Sequence, residues 1–85
     1  MKAVDRELRL RRLTVDEALF QLDQYLSDAF MAGLPFVRII HGKGTGTLRG
    51  AVHDALAKHP LVESFRLGGY GEGDYGVTIV EMANR

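Results

Sequence analysis

PFVRIIHGKGTGTLR, residues Pro35 to Arg49, runs from an apolar segment through alternating glycines into helix-forming sequence. FVRII is too apolar for a strand with one wet face and reads as a central strand. Beyond the glycines, Leu48, Ala51, Val52, Ala55 and Leu56 recur at helical spacing until His59-Pro60 closes the segment. A strand that passes through a glycine loop into a helix belongs to a βαβ unit, and its loop lies at the strand end where open parallel sheets bind ligands. Glycines at 42, 44 and 46 let backbone N–H groups curl around an anion, and the helix start adds partial positive charge. Taken alone, the same glycines serve a tight turn equally well, since glycine is needed wherever φ is positive; their position favours the phosphate cradle. The order is not that of a Walker loop, because no Ser or Thr follows Lys43, and the even spacing is not GxGxxG.

Working outward, Leu8 and Leu10 alternate with Arg9 and Arg11, the period of a strand with one buried face. TVDE, from Thr14 to Glu17, is a capping box that starts a helix whose inner stripe is Val15, Ala18, Leu19, Leu22, Leu26, Ala29 and Phe30. Phe20 and Met31 lie off that stripe, and Gly33 and Pro35 end the helix. LVESFRL and GVTIVEM read as two further strands joined by the long hairpin loop GGYGEGDYG. The expected fold is α/β, a two-layer βαβαββ sandwich: a mixed four-stranded sheet with two helices on one face and the last strand antiparallel to its hairpin partner. Residues 1–6 are expected to be a frayed lead-in and residues 7–85 one domain. Because crossovers are right-handed, both helices on one face require both crossovers to step the same way. The first three strands are then parallel, and Arg11-Arg12, His41–Gly46 and the Gly68–Gly76 loop emerge at one end.

With 85 residues there is room for one core and one site. Eleven basic residues offset eleven acidic ones, so bulk charge says nothing about a polyanionic partner and only local clustering can. Clustering is what the topology provides: Arg11, Arg12, Lys43 and Arg49 gather near His41, and Arg9 points to the uncovered face. The absence of cysteine excludes disulfides and thiolate metal sites, no segment has the length of a membrane span, and the start lacks a signal-peptide core, so a cytoplasmic protein is expected. His41 is the one histidine given a chemical role; His53 and His59 read as satisfied helix histidines. Asp16 and Glu17 are explained by the helix start, and Glu72 and Asp74 read as solvated charges of a flexible loop with no metal-ligand spacing. Tyr70 and Tyr75 could stack on bases or cover the sheet end.

LRLRRLTVDEA, RIIHGKGTGTLR and VESFRLGGYGEGDYGVTIVEM together closely resemble the Smr (small MutS-related) domain, in particular the one that ends bacterial MutS-two proteins, over residues 7 to 82. The resemblance implies a fold like the C-terminal domain of translation initiation factor three, binding of DNA or RNA and, in many members, strand nicking. It further implies that the domain is part of a mismatch-repair-like ATPase that suppresses recombination or acts on stalled ribosomes. Where the family's first motif reads Leu-Asp-Leu-His/Arg-Gly, this chain has Leu8-Arg9-Leu10-Arg11-Arg12: arginine replaces the acid at 9 and the glycine at 12. The second motif is intact. His41 and Arg11 are therefore the expected catalytic pair, His41 moving a proton, and Gly42, Lys43, Gly44, Gly46, Arg9, Arg12 and Arg49 the expected phosphate-binding set. A divalent metal such as Mg or Mn stays open on the resemblance, without a ligand set in the sequence. The alternative, from a different class, is a non-catalytic module that grips DNA or RNA by its phosphates.

Overall fold

The computed structural model describes residues 3–84; Met1, Lys2 and Arg85 lie outside the described residues, and with them the first part of the 1–6 lead-in and the last residue of the 7–85 domain. The elements are β1 (Glu7–Arg9), α1 (Val15–Met31), β2 (Phe36–Ile40), α2 (Thr47–Lys58), β3 (Val62–Leu67), a 3-10 turn at Asp74–Gly76, and β4 (Val77–Met82). The two-layer sandwich is as expected, with sheet order β1-β2-β4-β3. β1 pairs parallel to β2, and β4 runs antiparallel to both β2 and β3. The last strand is thus inserted between β2 and β3, which makes β2 and β4 the two interior strands.

Local chemistry sets the ends of α1. The Thr14 hydroxyl accepts the Glu17 N–H and the Glu17 carboxylate accepts the Thr14 N–H, a closed capping box. At the other end Gly33, at φ +76°, donates to the Phe30 carbonyl while Leu34 N–H reaches back to Ala29, a Schellman stop that Pro35 makes final. Leu10, Leu22, Leu26, Val37, Ile39, Val52, Leu56 and Val80 fill the space between helices and sheet with almost no exposure. Each such large side chain contributes about 1.5–3 kcal/mol through burial.

The lead-in is not frayed where it is described. Val4 packs on the core, the Arg6 carbonyl takes the Arg38 N–H, and the Tyr25 hydroxyl donates to the Asp5 carbonyl. Burial, with help from Asp5 and Glu7, pushes the Tyr25 phenol up to about 12, so it stays a neutral donor. No helix among the described residues is long and apolar enough to cross a membrane.

The face of the sheet away from the helices is laced by ion pairs. Glu7 holds both Arg9 and Arg38, at 3.3 and 3.1 Å, and Arg66 grips Glu72 with both guanidinium nitrogens at 2.7 and 2.9 Å. Glu72 also accepts the Gly69 N–H, and Asp74 pairs with Lys43 at 3.4 Å. Glu72 therefore ties the β3–β4 loop to β3 and to itself and Asp74 ties it to the glycine loop, both while still reached by solvent. The Arg66 fork first, then the Gly69 N–H, holds the Glu72 carboxyl down to about 2. Its contribution is present above the ordinary carboxylate range and is lost as pH falls through the depressed value. Glu72→Gln should therefore lower the protection of the Gly69 amide against exchange, relative to its intrinsic rate, at neutral pH, and wild type should lose the same protection only as pH approaches 2; equal protection in both proteins at neutral pH would contradict the tie.

Candidate functional site

Three loops meet at the end of β2. The His41 and Gly42 N–H groups both donate to the Gly76 carbonyl, at 3.1 and 2.9 Å, which clamps the glycine loop to the start of β4. Gly76 has no room for a side chain: a Cβ there would lie 2.9 Å from Lys43 Cγ. Gly42 and Gly46 hold φ at +86° and +92°, so both are needed for the backbone itself. Gly44 is different. Its φ is not positive, and a Cβ built on it meets nothing within 4 Å, so no neighbour in the fold requires glycine there.

Between this loop and the start of α1 lies an open cleft of about 380 Å³, lined by Arg12, Thr14, His41, Gly44, Gly46 and Arg49 among others. Its floor includes the N-terminus of α2, where Gly46 supplies no side-chain cap and the first turn carries no acid. The Thr47 N–H donates to the Thr45 hydroxyl at 3.5 Å, and the N–H groups of Leu48 and Arg49 follow it at the positive end of the helix. Among the described residues, the ion pairs claim Arg9, Arg38, Arg66 and Lys43 but not Arg11, Arg12 or Arg49. Arg11 lies along Gly42, its Cγ 3.4 Å from a Cβ placed there, and Arg49 sits 5.8 Å from the Tyr75 ring centre, which Lys43 also faces at 5.2 Å. Tyr75 thus carries cations beside the glycine loop, while Tyr70 is fully exposed. Zero net charge hides this separation: acids neutralise the cations of the open sheet face, and the cleft keeps its own.

Of the expected residues, Arg12, His41, Gly42, Gly44, Gly46 and Arg49 line the cleft, while Arg11 and Lys43 line a neighbouring hollow on the other side of Gly42. Arg9 does not line the cleft; it lies on the uncovered face in an ion pair with Glu7. Arg12 does line it, but at φ +71°, a left-handed conformation that costs a non-glycine residue about 1–2 kcal/mol. That backbone explains why a glycine belongs at this place in the resembled motif. For a Mg or Mn ion, no group of three His, Asp or Glu side chains converges among the described residues, so the donor set does not fit a metal.

His41 is placed otherwise than its loop position implied. It continues the alternation of Val37 and Ile39 toward the helices and is only 5% exposed. Its Nδ1 lies 3.1 Å from the Gly42 carbonyl and its Nε2 2.8 Å from the hydroxyl of Thr78, itself fully buried. The same hydroxyl meets His53 Nε2 at 2.7 Å. Burial first, then the neighbouring His53 and Arg49, pushes His41 below the usual imidazole value against the opposing pull of the Gly42 carbonyl; burial and Arg49 do the same to His53 against Asp54. Both shifts favour the neutral form of the ring. His53 is satisfied, as expected of a helix histidine, but its partner joins it to His41. The signal in the sequence was a polar residue at a buried-face position of each strand, His41 in step with 37 and 39, and Thr78 in step with 80 and 82. His59 is a structural link: its Nδ1 accepts the Leu61 N–H and its Nε2 reaches Asp23 at 2.9 Å.

A match to the family model described as "Smr domain" covers residues 8–83. The endonuclease MutS2 of Pelotomaculum thermopropionicum is 55% identical over 82 residues, 96% of this chain, and that of Thermomicrobium roseum 58% identical over 79 residues, 93% of the chain. The chain spans only 10% of the length of either relative. Among solved structures, the Smr domain of Thermus thermophilus MutS2 superposes with a TM-score of 0.91 at 48% identity, covering 94% of this chain and all of that one. YdaL, a stand-alone small MutS-related protein from Escherichia coli, gives 0.87 at 26% identity over 93% of this chain and 65% of its own.

Because His41 is buried with both ring nitrogens engaged, His41→Ala should cost stability, contrary to what a side chain at a thinning strand end implies. The cavity and the orphaned Thr78 and His53 groups together should lower unfolding free energy by about 2–4 kcal/mol. Urea denaturation checks this, and a loss below about 0.5 kcal/mol, the range of an ordinary surface change, would contradict the packing described.

Proposed function

The chain belongs to the Smr domain family, and from that premise we propose that its cleft grips the sugar-phosphate backbone of DNA or RNA and that, within a longer MutS-like chain, it supports nicking of the bound strand. One observation carries the reading: Arg12 and Arg49, without acidic partners among the described residues, line one cleft with the glycine loop and the N-terminus of α2. A phosphate seated on the N–H groups of Lys43 to Gly46, beyond the Gly42 N–H that the Gly76 carbonyl holds, would have its charge offset by Arg12, Arg49 and, from the far side of Gly42, Arg11 and, after exchange from Asp74, Lys43. Donors fixed before the substrate arrives also stabilise charge that grows on a phosphodiester during cleavage, which is the role this reading gives Arg11. His41, expected to move the proton, fits better as the residue that holds the Gly42 carbonyl, because neither ring nitrogen is free in this geometry.

The proposed partners are nucleic acid and the remainder of a MutS-like ATPase, since the relatives are about ten times longer than this chain. Ribosomal RNA would be met by the same backbone contacts. The engagement of both His41 nitrogens favours a second reading, in which the domain only holds nucleic acid and presents it to a partner domain.

Backbone recognition predicts weak sequence preference and marked salt dependence. Arg49→Ala should reduce the slope of log K against log salt by about 0.7–0.9, the contribution of one phosphate contact. Gly44→Ala, which touches nothing in the fold, should leave the melting temperature unchanged while weakening oligonucleotide binding. Affinity indifferent to salt and to both substitutions would reject the cleft. Incubation with supercoiled plasmid and single-stranded RNA, with and without EDTA, separates the two readings: nicking supports the first, and binding without nicking the second.

A further inference from the structure

Behind the cleft, His53, Thr78 and His41 form one hydrogen-bond chain that ends on the loop. His53 Nε2 is 2.7 Å from Thr78 Oγ1, Thr78 Oγ1 is 2.8 Å from His41 Nε2, and His41 Nδ1 is 3.1 Å from the Gly42 carbonyl oxygen. Proton counting leaves one neutral arrangement. The Gly42 oxygen can only accept, so His41 Nδ1 carries the hydrogen and its Nε2 is bare. That bare nitrogen must receive the single hydroxyl hydrogen of Thr78, whose oxygen then accepts from His53 Nε2–H. Every donor has an acceptor, and no buried polar side-chain atom among the described residues lacks a partner. His53 is itself held in place, its ring 5.0 Å from that of Phe65.

We propose that Thr78 and His53 are positioning residues for the glycine loop: they fix the Nδ1–H tautomer of His41, and through it the orientation of the Gly42–Lys43 peptide. The orientation of this peptide is set by ψ of Gly42 and φ of Lys43, and with no Cβ at Gly42 the first of these rotations has more than one accessible value. The Nδ1–H bond selects the one with the carbonyl toward His41. In a trans peptide the following N–H points the opposite way, so the Lys43 N–H is directed away from the ring. The loop is thereby set before a ligand arrives. This inference rests on the reading of the loop as a phosphate cradle, and its test separates the two.

Thr78→Val keeps the shape and removes the hydroxyl; Thr78→Ser keeps the hydroxyl. His53→Leu, at a half-buried position, removes the first donor and serves if Thr78→Val does not fold. Imidazole ¹⁵N NMR reports which His41 nitrogen is bare, and titration with a single-stranded DNA oligonucleotide reports affinity. Thr78→Val or His53→Leu should lose the bare-Nε2 signature of His41 and bind about tenfold more weakly, the effect of one hydrogen bond. Thr78→Ser should restore both. A wild-type His41 tautomer in the variants overturns the proposal, and so does an altered tautomer with wild-type affinity. If the wild-type domain binds no oligonucleotide, the functional reading falls, and the tautomer alone then decides whether Thr78 and His53 position His41.

Discussion

The Gly76 carbonyl receives two backbone N–H groups, those of His41 and Gly42, and the geometry of the whole end of the molecule follows from that convergence. It can form only because β4 lies against β2, with Ile40 opposite Val77 and Ile39 opposite Thr78. An edge position for β4 beyond β3 would leave Gly76 far from the glycine loop and Thr78 far from His41. The same pairing thus makes a backbone clamp at the surface and a polar contact inside. Gly76 is glycine because Lys43 already occupies the space its side chain would need.

Charge in this domain is a matter of placement. Glu7 and Glu72 are spent on Arg9, Arg38 and Arg66 across the open sheet face, while Arg12 and Arg49 at the cleft and Arg11 in the adjoining hollow have no acidic ion-pair partner among the described residues. Surface ion pairs of this kind contribute little to stability, roughly 0–1 kcal/mol each. Their consequence here is electrostatic contrast: one face is neutralised and one end is not. A domain with no net charge can in this way present a local positive potential to a polyanion.

The buried imidazoles show how a small core accommodates polar groups beside a functional loop. Deep burial would penalise His41 and Thr78 if either were left unsatisfied. Each satisfies the other, His53 completes the chain, and the free end of the chain is the Gly42 carbonyl. A core contact and a loop conformation are therefore coupled through one ring.

The sequence by itself determined the elements and their ends: the Thr14–Glu17 box, the Gly33-Pro35 stop, the β2–glycine loop–α2 succession, and the grouping of loops at one end. These are local signals, carried by periodicity, capping and glycine conformation, and they act over a few residues. It also determined the family, because the glycine motif and the strands around it are specific. Only the tertiary structure decided that β4 enters between β2 and β3, that His41 turns inward, that Glu72 and Asp74 are tied rather than loose, and that Arg9 has Glu7 for a partner. Each of these depends on which residues meet across a sheet or between a helix and a strand. His53 and Thr78 are 25 residues apart, and periodicity assigns each to a face without saying that the two touch. Partnership across such separations is set by how the sheet is ordered and packed, and no local pattern encodes it.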